Sequence, residues 1–283
     1  MTDSPQPSDW RSESASLLAT RYGLESWPDA EVVSSPTIDL QLRHRSVRKF
    51  TAEPVTDAEL TSIVAAAQSA SQSSNLQIWS IVAVRDAERK RRISEAIGGR
   101  SYVEDAAVFL IWVADFHRAA KLVETQDIEA TTVGYMESTL VAFADSGITA
   151  QNALLAAESL GLGGVFVGSI RNNPAEVVAE LGLPEFTFPV FGLAIGHPDP
   201  TEQAGTKPRL PQAAVLHHEQ YDAEAWEQPV SDYENHLAEY YAEFDKPNYS
   251  WARTIVRRLG SAAGLHGRDR MRDRLREQGY DSE

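Results

Sequence analysis

The chain has 283 residues, 41 acidic against 26 basic side chains, a formal net charge of −15 and no cysteine. That length suits one large domain or two modest ones. The missing cysteines exclude disulfide scaffolds, thiolate metal sites and a thiol nucleophile, and the acidity argues against nucleic acid or an anionic membrane as partner. Residues 1–36, rich in Ser, Pro, Asp and Glu, read as an N-terminal extension with one short helix near Glu13–Tyr22. The first ten residues have neither a basic n-region nor an apolar h-region, so no secretory signal is expected and the cytoplasm is the default.

Thr56 or Asp57 can cap a helix running to Ala70, with Glu59 in its first turn. Ile78–Val84 has the β-branched character of a strand, and Ala87–Ile97 reads as a helix ended by Gly98 and Gly99. Ala107–Val113 is a continuous apolar run, expected as a central strand buried on both faces. It lies within the longest apolar stretch, Ala106–Ala114, far short of the ~20 residues that a membrane helix needs. Glu137–Leu160 reads as one long helical stretch. Asp145 within it either needs a partner or caps a second helical segment, the second being preferred. Gly163 and Gly164 read as helix cap and strand entry, followed by a strand at Val165–Ser169. Pro174–Leu181 is a helix with proline in its first turn, Phe188–Ile195 a buried strand and Gly205–Pro211 a loop. Residues 231–244, 251–260 and 268–278 read as helices. Alternating strands and helices by themselves suggest a parallel doubly wound sheet.

Most familiar chemical motifs are missing. The glycines at 161, 163, 164 and 168 do not have GxGxxG spacing, and they follow a helix and precede a strand, the reverse of a dinucleotide loop. No GxxxxGK[ST] or GxSxG occurs, and the seven histidines show no HExxH spacing, so no metal site is expected. Much of the positive charge sits in small islands: Arg43, Arg45, Arg48 and Lys49; Arg89–Arg92; Lys207 and Arg209; and eight arginines from Arg253 to Arg276. Any one island reads as a solvated face. Small basic islands in an acidic protein also suit a small molecule bearing a phosphate.

Four segments carry a family likeness when taken in order. They are Arg43-His-Arg-Ser-Val-Arg-Lys-Phe50 with Glu53-Pro-Val55, Ser69-Ala-Ser-Gln-Ser-Ser-Asn-Leu-Gln-Ile-Trp-Ser80, Ala150–Asn173 with its Gly-Leu-Gly-Gly-Val-Phe-Val-Gly-Ser core, and Lys207-Pro-Arg-Leu-Pro211. Together they resemble the nitroreductase-like flavoenzymes, in particular the oxygen-insensitive NADPH nitroreductase and flavin reductase group, from about residue 38 to the C-terminus. The resemblance implies an α+β fold with a mostly antiparallel sheet flanked by helices, and this replaces the parallel sheet, since alternation does not reveal strand direction. It implies bound FMN, NADPH as electron donor, and a homodimer embraced by C-terminal helical extensions. Residues 37–212 would then be the FMN-binding core and 213–283 the extension, within one domain.

By the same resemblance, His44, Arg45 and Ser46 lie along the FMN phosphate and ribityl chain, and Lys207 and Arg209 complete a phosphate clamp. Arg48 sits near N1 and O2, where a fixed cation stabilises the charge gained on reduction; it is the expected catalytic residue. Gln72, Ser73, Ser74 and Gln77 bond the pyrimidine edge, and Phe166, Val167, Gly168 and Ser169 run beside the ring near N5. Asn75 and Arg268 are expected at the substrate, and the long helix at 140–160 at the dimer interface. The 242–250 loop carries a single cation, Lys246, beside Glu243 and Asp245, which leaves NADH open as donor. Acceptors would be small molecules such as nitroaromatics, quinones or free flavin. The alternative is a flavin-binding redox sensor or carrier without robust turnover.

Overall fold

Val108–Asp115 forms β2, and every one of its residues is buried. That burial on both faces is what a nine-residue apolar run requires. In the computed structural model, which describes residues 7–23 and 33–280, the elements in chain order are as follows. Helices α1 (Pro7–Tyr22), α2 (Pro36–Arg43) and α3 (Asp57–Gln68) precede β1 (Trp79–Val84). Then come α4 (Ala87–Ala96), α5 (Ser101–Asp105), β2, α6 (His117–Glu124) and α7 (Met136–Ser159). Strand β3 (Gly163–Val167), α8 (Pro174–Leu181) and β4 (Thr187–Gly196) complete the sheet region, and α9 (Glu227–Ala242), α10 (Trp251–Leu259) and α11 (Met271–Arg276) follow.

The chain gathers into two units: residues 1–45 with 203–264, and residues 46–202 with 265–283. The second unit holds a four-stranded sheet in the order β1-β2-β4-β3, antiparallel at every pairing. The pattern-level expectation of a parallel sheet is thus overturned, and the antiparallel α+β sheet is what the chain forms. Alternate residues of β2 serve opposite layers, as a strand's period of two dictates. Val108, Leu110 and Trp112 pack with Ile63 and Ala67 of α3 and Ala150, Ala153 and Leu154 of α7. Phe109, Ile111 and Val113 pack with Ile93 and Ile97, Val103 and Val177 on the other side.

Local signals explain several boundaries. Thr56 and Glu59 form a reciprocal capping box at the start of α3. Gly182, left-handed at φ 62, ends α8. Helix α7 runs unbroken for 24 residues, so Asp145 caps no second segment. Gly163 and Gly164 lie inside β3, and the left-handed glycine after α7 is Gly161. Strand β3 ends at Val167, and residues 168–172 form a 3₁₀ turn rather than more strand.

The first unit contains α1, α2, α9 and α10. The Ser35 hydroxyl accepts the Ile38 N–H to cap α2, with Pro36 in the first turn. The Glu234 carboxylate accepts the N–H groups of Trp251 and Ala252, and Ser250 accepts that of Arg253, so the start of α10 is satisfied internally. Among the described residues, no helix is long and apolar enough to cross a membrane.

Candidate functional site

The first unit draws two of the basic islands together. Arg21 on α1 is 4% exposed. Its guanidinium donates to the carbonyl oxygen of Lys207 at 2.8 Å, of Leu42 at 2.7 Å and of His44 at 2.6 Å. The Arg21 carbonyl accepts the Arg209 N–H at 2.8 Å. Segments more than 160 residues apart in sequence are therefore tied through one buried side chain. His44 and Arg209 line one cavity of about 290 Å³ together with Arg21, Tyr22, Ile38 and Leu42. Arg209 also donates to the carbonyls of Lys207 and Pro208.

Tyr241 carries two ammonium groups near its ring, Lys207 at 5.4 Å and Lys246 at 5.7 Å from the centroid. Such cation–π contacts hold lysines over an aromatic face. Tyr249 stacks on the same ring at 3.8 Å. Burial pushes the neighbouring Tyr233 hydroxyl above the ordinary tyrosine range, opposed by the charge of Arg209. The loop containing Lys246 takes left-handed backbone at Asp245 and Asn248.

In the second unit, the segment from Ser46 to Thr51 is laid against the ends of β3 and β4. The Val47 N–H donates to the Gly164 carbonyl at 3.0 Å, and the Thr51 N–H to that of His197 at 2.9 Å. Gly163 makes this approach feasible: a Cβ there would lie 2.5 Å from Cγ2 of Val47. Arg48 is exposed and donates its backbone N–H to Glu202 at 2.8 Å. Lys49 pairs with Asp199 at 3.3 Å.

The loop between α3 and β1 holds Gln72, Ser73, Ser74, Asn75 and Gln77. Ser74, Asn75 and Gln77 have φ of 47°, 53° and 52°. Three non-glycine residues in left-handed backbone within four positions is a strained arrangement that its surroundings must impose. The surroundings are visible. Both carboxylate oxygens of Asp145 accept the Ser73 N–H at 3.1 Å, the Trp79 indole donates to the Gln72 side-chain oxygen at 2.8 Å, and Arg118 donates to the Gln77 carbonyl at 2.7 Å. Ser73, Ser74, Asn75 and Gln77 remain exposed. Sequence reasoning missed Asp145 and Arg118 as supports of this loop. An acid in an apolar helix face was the available signal for the first; nothing local marked the second.

After β3, Phe166 is 38% exposed while Val167 is buried. A Cβ on Gly168 would stand 3.5 Å from the Arg171 guanidinium, an ordinary contact. The Ser169 hydroxyl is buried with no hydrogen-bond partner among the described residues. Arg268 reaches this turn: its Nε donates to the Asn172 side chain at 2.8 Å, and Gly267 before it is left-handed at φ 86. The second unit thus brings the expected substrate arginine beside the 168–172 turn. Among the described residues no group of acids and histidines is placed to hold a metal ion.

Comparison with known proteins gives this geometry a relation. The sequence profile of the Nitroreductase family matches residues 42–197, and that of the Nitroreductase family C-terminal domain matches residues 207–283. The NADPH-flavin oxidoreductase of Vibrio harveyi is 41% identical over 232 residues, covering 81% of this chain and 93% of its own. The oxygen-insensitive NADPH nitroreductase of Salmonella typhimurium is 43% identical over 207 residues, covering 73% and 83%. The solved structure of NADPH:FMN oxidoreductase from Vibrio harveyi complexed with NAD+ superposes with a TM-score of 0.78 at 38% identity, over 88% of this chain and all of that one. The chain belongs to the nitroreductase family.

Proposed function

We infer that the protein is an FMN-dependent NAD(P)H oxidoreductase that passes a hydride from a nicotinamide to flavin and then two electrons to an acceptor such as a nitroaromatic, a quinone or free flavin, in ping-pong order. The observation that carries this reading is the family match over residues 42–197 and 207–283, with relatives named as NADPH-flavin oxidoreductase and NADPH nitroreductase. When bound, FMN supplies the two-electron chemistry; a chain without cysteine has no thiol to supply it.

The residues present fit that group. In the first unit, His44 and Arg209 border one cavity and Lys207 is tied to the same framework, a cation set suited to a phosphate dianion. Arg45 and Ser46 continue that segment toward the ribityl chain. In the second unit, the exposed loop from Ser73 to Gln77 offers small polar groups for a pyrimidine edge, with Gln72 as its anchor. Phe166, Val167, Gly168 and Ser169 would flank the ring, and the unpartnered Ser169 hydroxyl is a polar atom that a bound group can satisfy. Arg48 would set the charge near N1 and O2, and Asn75 and Arg268 would meet the substrate. Residues 37–212 would act as the core and 213–283 as its extension; the two family segments divide between residues 197 and 207.

The functional unit is proposed to be a homodimer in the cytoplasm. Tyr135, Met136, Leu140 and Ile148 leave large apolar side chains exposed on and beside α7, an unusual run for a surface helix. NADPH is the proposed donor, with NADH left open because Lys246 is the single cation of the 242–250 loop.

The test is the absorbance of the purified protein, followed by anaerobic titration with NADPH and NADH and then an acceptor panel. Flavin absorbance that bleaches with either nicotinamide supports the reading. Protein that lacks flavin and regains none with added FMN overturns it, and flavin that neither donor bleaches points to a carrier or sensor.

A further inference from the structure

Arg21 lies outside both matched family segments, which begin at residues 42 and 207. It is nonetheless tied to both basic segments of the first unit. Its fork donates to three main-chain carbonyls on two segments, Leu42 and His44 on one and Lys207 on the other, and its own carbonyl receives the Arg209 N–H. Three donations to carbonyls at 4% exposure tie Arg21 to the segments on either side of it.

We propose that Arg21 is a positioning residue for phosphate recognition, setting the spacing of His44 and Arg45 against Lys207 and Arg209 from an N-terminal helix outside the family core. The inference rests on the FMN reading above. Three features support it. A guanidinium can hold several acceptors in one fixed plane, which an ammonium on a flexible stem cannot. Across a trans peptide the carbonyl and the next N–H point in opposite directions, so holding the His44 carbonyl turns the Arg45 N–H away from Arg21. Carbonyl oxygens near a phosphate dianion would also repel it, and Arg21 collects three of them on itself. The result is a framework on which the cations are arranged before the anion arrives, so that little ordering cost remains at binding.

The experiment compares FMN with riboflavin, which differ by the phosphate alone. Both are titrated by fluorescence quenching into the full-length chain stripped of flavin, in wild type, Arg21→Ala and Arg21→Lys, with circular dichroism to confirm folding. The expected result is that Arg21→Ala weakens FMN by about tenfold or more while riboflavin shifts less than about twofold, so the preference for the phosphorylated ligand collapses. Arg21→Lys keeps the charge but loses the fork, and is expected to lose most of the preference too. If Arg21→Ala does not fold, Arg21→Lys carries the test. Equal weakening of both ligands would make Arg21 a general structural residue and overturn the inference, as would full preference retained in Arg21→Lys. Wild-type protein that binds neither flavin overturns the FMN reading itself. Wild-type protein that prefers FMN, with variants that prefer it equally, overturns only the role of Arg21.

Discussion

Both carboxylate oxygens of Asp145 stand 3.1 Å from the backbone nitrogen of Ser73 and share its hydrogen. The acid is 2% exposed in the middle of α7, where an unpartnered carboxylate would be costly. The bond therefore satisfies the helix and fixes the start of a loop that turns left-handed at Ser74, Asn75 and Gln77. Asp145→Ala is expected to lose about 1–3 kcal/mol of stability and to weaken FMN binding through the loosened loop. Asp145→Asn keeps an acceptor and should recover much of both. Urea unfolding and flavin titration check this; an alanine variant as stable and as tight as wild type would remove Asp145 from the account of the loop.

The same pair shows what a sequence can carry. The run at 107–113 announced a doubly buried strand because apolar continuity is a local property. The cap at Thr56 was legible for the same reason. Strand direction was not, because a helix between two strands permits either sense, and only the family likeness indicated an antiparallel sheet. Asp145 looked like a helix cap because its partner lies 72 residues away and is a main-chain N–H, which no side-chain pattern marks. Arg21 was hidden similarly: it sat in a Ser- and Pro-rich stretch, and its acceptors are carbonyls as far as 186 residues away. Helices α2, α5 and α6 went unread.

Gly163 is set by a tertiary contact rather than by a turn. A Cβ at this position would meet Val47 at 2.5 Å and Pro198 at 3.1 Å. Gly163→Ala is expected to cost about 1–3 kcal/mol and to lift the 46–48 segment from β3. Val47→Ala in the same chain removes the nearest atom and should return part of the loss, a coupling that a double-mutant cycle in urea measures directly. Additive effects would show that Val47 is not what the glycine accommodates.

Tyr280 closes the second unit from the C-terminal side. Its hydroxyl lies 3.1 Å from the Ala114 carbonyl and 3.0 Å from that of Phe186, and its side chain is fully buried. Tyr280→Phe should cost about 1–2 kcal/mol, since the one hydroxyl proton shared between these carbonyls is lost, while the Phe186 carbonyl keeps the Phe116 N–H. Burial, reinforced by Asp115, raises the phenol well above the ordinary tyrosine range. The raised value means the folded state holds this proton more tightly than the unfolded chain. The resulting stability is fully present below the unfolded tyrosine pKa and drains away as pH rises through and beyond it. Wild type should therefore show an alkaline fall in melting temperature that is shallower in Tyr280→Phe. Parallel alkaline profiles for the two proteins would contradict this.

Arg48 and the pair Lys207 and Arg209 are assigned different work, and their variants should separate. Arg48 is exposed and its backbone N–H is held by Glu202, so the side chain can turn without disturbing the 46–51 segment. A cation near the flavin's N1–O2 edge matters most when that edge gains charge, so its removal should slow reduction more than it weakens binding. Arg48→Ala is expected to retain FMN through gel filtration and to be reduced about tenfold or more slowly by nicotinamide in anaerobic stopped flow. Lys207→Ala with Arg209→Ala removes two phosphate-seeking cations and should elute without FMN, while its far-ultraviolet circular dichroism stays that of wild type. Arg48→Ala reduced at the wild-type rate would displace Arg48 from the N1–O2 edge, and a double variant that still carries FMN would place the phosphate elsewhere.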